Sequence, residues 1–93
     1  MLIDGIRIVP NTYGESDPNI DVKGCYSFVV YNLGTVKAYI WGTVELLPNE
    51  SVSFPNIDGM PYAENAPIEF SGSGTKQLLV IKAIKVKMTC DVG

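Results

Sequence analysis

The chain contains no histidine, and this absence narrows its chemistry more than any motif it carries. Histidine is the side chain most used for proton transfer and for activating a serine or cysteine nucleophile. Its loss, with only Cys25 and Cys90 to supply sulfur, leaves a tetrahedral zinc site without enough ligands. No cofactor is expected. Two cysteines are also too few for a disulfide framework. They can pair if the first and last core strands are neighbours, but the preferred reading is two reduced, buried thiols. Basic charge is scarce: 7 Lys and Arg against 10 Asp and Glu give a net charge of −3. That is no electrostatic footprint for nucleic acid. Long hydrophobic runs are missing as well. The longest in the second half is Leu78 to Ile81, far below the roughly 20 residues of a membrane helix. The opening Met1-Leu2-Ile3-Asp4-Gly5-Ile6-Arg7 lacks a basic n-region and meets an acid at Asp4, which predicts no signal peptide and synthesis in a cytoplasm.

What is present is apolar and extended. Hydrophobic residues make up 46% of the 93 and charged residues 18%, too apolar for a disordered segment. The length predicts one domain, residues 1–93, with a single thin core and little room for an enclosed site. Helical periodicity is nearly absent, and 9 glycines and 6 prolines punctuate the chain. Strands are predicted at Ile3 to Val9 (stopped by Pro10-Asn11), Cys25 to Asn32, Val36 to Leu47, Ser51 to Phe54, Ile68 to Ser71, and Lys76 to about Thr89. The polar stretch Asn11 to Gly24 and the proline-rich Pro55 to Pro67 read as two long loops. Turns are expected at Asn32-Leu33-Gly34-Thr35, Leu47-Pro48-Asn49-Glu50 and Gly72-Ser73-Gly74-Thr75, the first of them closing a hairpin.

Alternate side chains on a strand face opposite ways, so parity separates core from surface. Val36, Ala38, Ile40, Gly42, Val44 and Leu46 form a wholly apolar face; Lys37, Tyr39, Trp41, Thr43 and Glu45 form the other. Val52 and Phe54 point inward between Ser51 and Ser53, and Ile68 and Phe70 oppose Glu69 and Ser71. The last strand is ambiguous. Leu79, Ile81 and Ala83 share one parity, whereas Ile84, Val86 and Met88 take the other. Either a β-bulge near Ala83-Ile84 turns both sets to the core, or the strand is straight and apolar on both faces over Leu78 to Ile81. With at least six one-sided strands, the fold class is all-β: a single-domain antiparallel β-sandwich or jelly-roll-like domain.

Motifs for chemistry are few. Asp17-Pro18-Asn19-Ile20-Asp21 copies the start of a calcium loop but has Val22 where glycine is required and Phe28 where glutamate is required, so it reads as a turn. Gly72-Ser73-Gly74-Thr75-Lys76 lacks the spacing of a phosphate loop and precedes a strand, so it too is a turn. Lys82, Lys85 and Lys87 read as guards against edge pairing. Tyr31, Tyr39 and Trp41 are candidate interface anchors, because hairpin pairing would place them near one outward face and Trp and Tyr anchor interfaces. Met60 and Tyr62, on the second long loop, are further interface candidates. The bland reading is that a second sheet or a loop covers these aromatics.

The runs Tyr31-Asn32-Leu33-Gly34-Thr35, Leu47-Pro48-Asn49-Glu50-Ser51-Val52-Ser53-Phe54, Phe70-Ser71-Gly72-Ser73-Gly74-Thr75 and Leu78-Leu79-Val80-Ile81 resemble small β-structured virion proteins of tailed bacteriophages. The resemblance spans residues 25–88 and rests on turn-and-strand grammar. It implies a capsid decoration, auxiliary capsid or head-fibre protein without catalysis, located in the virion. It also implies binding to a major capsid or other virion protein and to copies of itself, with a trimer favoured. Two other readings compete. Tyr31, Tyr39 and Trp41 as a flat stacking platform suggest a carbohydrate-binding module. A small jelly-roll enzyme is the third, against which the missing histidines and metal ligands count directly.

Overall fold

The long last strand organises the molecule. In the computed structural model, which describes residues 2–56 and 60–89, β8 (Gln77–Thr89) pairs antiparallel with β1 (Leu2–Gly14) in an unbroken one-to-one register from Leu2↔Thr89 to Gly14↔Gln77. Its other edge carries β3 (Ser27–Asn32), but only from Asn32↔Leu78 to Ser27↔Ala83. β6 (Ser51–Phe54) completes this first sheet, in the order β1-β8-β3-β6. A second four-stranded antiparallel sheet holds β2 (Asn19–Ile20), β7 (Ala66–Ser71), β4 (Lys37–Ile40) and β5 (Val44–Leu46), in the order β2-β7-β4-β5. The described residues form no helix. The all-β, two-sheet expectation holds.

Parity explains the core between the sheets. Phe28, Val30, Leu78 and Val80 face inward from the first sheet, and Ile20, Ala38, Ile40, Leu46, Ala66 and Ile68 from the second. Loop residues Val22 and Cys25 join them. Each large apolar side chain buried here contributes about 1.5–3 kcal/mol relative to exposure.

Several expectations need correction. β1 does not stop at Pro10, because β1 is an edge strand. Tyr26 N–H donates to the Ala83 carbonyl and Leu33 N–H to that of Gln77, so odd-numbered β8 residues bond toward β3 and even-numbered ones toward β1. Pro10 lies opposite Ile81, so its missing N–H falls on the free edge, where no ladder bond is lost. The stretch Asn11 to Gly24 is therefore not one loop; it holds the end of β1 and all of β2. Val36 to Leu47 is a hairpin and not a single strand. Trp41 and Gly42 take positive φ values of 53° and 68°, which turns β4 back into β5, while Ile40↔Val44 and Ala38↔Leu46 keep the same apolar face inward. The bulge at Ala83-Ile84 is absent: β8 runs straight through both residues and is apolar on both faces over Leu78 to Ile81.

The turn at Asn32 to Thr35 is not a hairpin either; it carries the chain from the first sheet to the second. Asn32 is 1% exposed, and its amide holds the corner. Nδ2 donates to the carbonyls of Val36 (2.8 Å) and Leu46 (3.0 Å), and Oδ1 accepts from Gly34 N–H (3.0 Å). The main chain of Asn32 bonds in both directions to the β5–β6 turn, through Glu50 O and Asn49 N–H. Gly34 is required here because a Cβ would run into the Thr75 carbonyl oxygen.

A candidate interface on the outer face of the first sheet

Directly paired residues project to the same side of a sheet. The register thus assigns Ile6, Ile8, Pro10 and Thr12 of β1 to the outer face of the first sheet, together with Leu79, Ile81, Ala83 and Lys85 of β8. Val29 and Tyr31 of β3 and Ser51 and Ser53 of β6 continue it. No element of the second sheet covers this side, which lies opposite the core. Ile6 (58%), Ile8 (60%) and Tyr31 (37%) are exposed; Val29, Leu79, Ile81 and Ala83 are half-buried. Lys85 lies on this face, with its Nζ 5.6 Å from the centroid of the Tyr26 ring, and the ladder continues beyond it through the Asp4↔Lys87 pair.

The face is longer than the sandwich beneath it. β3 leaves β8 at Ala83, so the ladder beyond Arg7↔Ile84 continues as a two-stranded arm. The molecule measures 56 × 24 × 21 Å with a radius of gyration of 15.3 Å, against roughly 12 Å for a compact chain of this length.

The outer face of the second sheet is built differently. Lys37 and Tyr39, Glu45, and Pro67, Glu69 and Ser71 face outward there, with Lys37 Nζ 3.5 Å from Glu45 Oε1. It is a solvated face of mixed charge.

Of the sequence candidates, Tyr31 lies on the apolar outer face and Tyr39 on the opposite, charged one. Trp41 belongs to neither. Its positive-φ turn swings the indole into an aromatic cluster with Phe28 (6.0 Å between centroids), Phe54 (5.3 Å) and Tyr62 (6.2 Å). Phe28 stacks on Phe54 at 4.6 Å and meets the edge of Tyr62 at 5.2 Å. Tyr62 is fixed further by its hydroxyl, which donates to the Pro55 carbonyl at 2.7 Å, so the cluster closes the end of the core nearest the arm. Met60 is 67% exposed on the β6–β7 loop. The structure brings Trp41 and Tyr62 together and keeps Tyr31, Tyr39 and Met60 apart; a platform of Tyr31, Tyr39 and Trp41 does not form.

Sequence reasoning missed the arm side chains Ile6 and Ile8, although the double parity of β8 was the signal for the face they join. It also placed the lysines at an edge, whereas β8 is central as far as Ala83. Lys82 points inward beside Phe28 and reaches out to Asp21, donating to its carbonyl at 2.7 Å and lying 3.9 Å from its carboxylate. Lys87 and Cys90 lie outside the described side chains.

Cys25 is a buried free thiol, and desolvation pushes its pKa up, with Lys82 opposing, so it is held away from the reactive thiolate. Burial likewise raises the Tyr13 and Tyr62 phenols. Asp17, from the calcium-like sequence, uses its carboxylate to accept from Gly14 N–H at 2.8 Å. An open groove lined by Glu15, Asp17, Glu69 and Lys76 is occupied by the 2.8 Å Lys76–Glu15 pair. No family model matches the chain, and neither the curated proteins nor the solved structures contain a match to it.

Proposed function

We propose that this chain is a non-enzymatic structural protein of a virion, of the capsid decoration or auxiliary capsid kind, that binds a capsid lattice and further copies of itself. The observation that carries the reading is the uncovered apolar outer face of the first sheet. Contiguous apolar patches of several hundred Å² on a small domain mark surfaces that are covered by a partner. A thin-cored domain gains stability by burying such a surface on assembly. The non-catalytic part is supported by the absence of histidine and by the desolvated Cys25 thiol. The virion part is supported by the sequence resemblance in turns and strands.

The carbohydrate-binding alternative requires a shared aromatic surface, and Tyr31, Tyr39 and Trp41 point in three different directions. The test of the proposal is co-sedimentation of the purified chain with tailed-phage capsids lacking it, taken from the virus that encodes it. Saturable binding at a fixed ratio to the capsid lattice is expected; a chain left wholly in the supernatant overturns the virion role.

A further inference from the structure

A tryptophan suits a left-handed turn poorly, because its Cβ crowds the following carbonyl there and glycine or asparagine fits better. Trp41 nevertheless takes a φ of 53° and Gly42 one of 68°, at the tip of the β4–β5 hairpin. Gly42 bears this conformation at no steric cost, whereas Trp41 is strained by it. Something must hold Trp41 there. Its main chain donates one hydrogen bond, from N–H to the Pro67 carbonyl at 2.9 Å, and the turn closes through a long Thr43 N–H to Ile40 carbonyl bond of 3.3 Å. The rest of the hold is aromatic: the indole packs against Phe28, Phe54 and Tyr62 and yet remains half-buried. Beyond the indole the tip has little support. Gly42 and Thr43 are exposed, and a Cβ on Gly42 would meet nothing within 4 Å. β5 is an edge strand, paired with β4 alone. Just behind the tip the hairpin is fixed, since Ile40 and Leu46 are buried in the core.

We infer that the β4–β5 tip is a strained latch: Trp41, Gly42 and Thr43 open as a local unit and withdraw the indole from Phe28, Phe54 and Tyr62 while both sheets stay folded. Opening loses the ring contacts and the bond to Pro67, but it releases the strain at Trp41 and restores freedom to an exposed turn. Segments with few buried contacts and exposed backbone bonds open in this way without global unfolding. The closed form dominates, and the open one is a minor state of roughly 0.1–10%. Burial of Ile40 and Leu46 confines the movement to the tip. The end of the core nearest the arm thus has two forms, one sealed by the indole and one with an apolar slot walled by three aromatic rings. This conformational device goes beyond the assembly role and does not rest on it.

Native-state hydrogen exchange of the full chain at low urea tests the latch. The amides of Val29 and Ile81, paired between two central strands, should exchange only through global unfolding, at rates that climb steeply with urea. The Trp41 amide is expected to be about 100-fold less protected than these, or weaker still, with little dependence on urea. Gly42→Ala then asks whether strain drives the opening. Its new Cβ meets no neighbour but puts a second side chain at positive φ, which penalises the closed tip and not the open one. Exchange at Trp41 is expected to rise about fivefold in this variant, with circular dichroism verifying the fold. A wild-type Trp41 amide with the protection and urea slope of Val29 overturns the latch. So does a folded Gly42→Ala chain whose Trp41 exchange is unchanged, because the strain would then have no part in the opening.

Discussion

The two sheets present the same chemistry to each other and opposite chemistry to the outside. Inward, both contribute buried aliphatic and aromatic side chains to one core. Outward, the second sheet shows Lys37, Glu45 and Glu69, while the first shows Val29, Ile81, Leu79, Ile8 and Ile6. Folding explains the inner faces equally well, since a sandwich needs only one apolar side per sheet. It does not explain why one sheet is apolar on both sides. An apolar outer face gives a lone molecule no stability, so its cause must be sought in what the face meets.

The sharpest way to break this comparison is at the corner that makes the sheets one cooperative body. Asn32→Leu removes an amide serving the Val36 and Leu46 carbonyls and the Gly34 N–H, and leaves those buried groups unsatisfied. A loss of about 3–5 kcal/mol is expected, summed over the broken bonds. Urea unfolding followed by Trp41 fluorescence and by far-ultraviolet circular dichroism measures it. Both signals will move together, because the Trp41 ring packs against Phe28 and Phe54 of the other sheet. Separate transitions would mean the two sheets are independent, and their outer faces could not be compared as sides of one body.

A second experiment acts on the apolar face itself. The double change Val29→Thr and Ile81→Thr keeps β-branched side chains on adjacent strands and makes the face polar. In chains diluted below self-association, the stability change is expected to stay under about 1 kcal/mol, since the positions are only half-buried. Binding of a hydrophobic dye such as ANS should fall severalfold. A much larger loss of stability would show these residues to be core, with the contrast between the faces removed.

The inner side has its own signature in pH. The Cys25 pKa is raised, chiefly by burial, so the neutral thiol favours the fold. Its contribution is fully present below the thiol's unfolded value, about pH 8.5, and is lost as pH rises from there through the raised folded value. The raised Tyr13 and Tyr62 phenols act in the same direction at higher pH. Stability measured by urea midpoints should therefore decline above about pH 8.5, and Cys25→Ala should flatten the first part of that decline. An undiminished slope in Cys25→Ala would assign the alkaline loss to other groups.

Much of this was legible in the alternation of residues. Ser51–Phe54 forms as expected, and the inward sets Ala38, Ile40, Leu46 and Ile68 follow parity. Partnership was not legible, because it depends on which strands are neighbours. Pro10 reads as a strand end until β1 is known to be an edge. Asn32 reads as a turn residue of a hairpin until β3 and β4 are known to lie in different sheets. Trp41 reads as outward-facing until the turn at Trp41-Gly42 reverses the chain. The same limit hid the apolar outer face: Leu79 and Ile81 advertised a two-sided strand, but Ile6 and Ile8 join them only through the register of β1 on β8.

The smallest expected effect lies on the charged face. Lys37 and Glu45 come within 3.5 Å, yet each side chain is about half exposed, 47% and 48%. Water and salt screen such a pair, and ordering two flexible side chains offsets most of the attraction. Lys37→Ala should cost less than about 0.5 kcal/mol, with a coupling to Glu45→Ala of similar size in a double-mutant cycle. The self-association constant should not change. That joint result would mark the second sheet as an ordinary solvated face, on which a single change alters almost nothing. A coupling well above 1 kcal/mol, or a change in association, would show that a partner desolvates the pair, and the second sheet would then be an interface too.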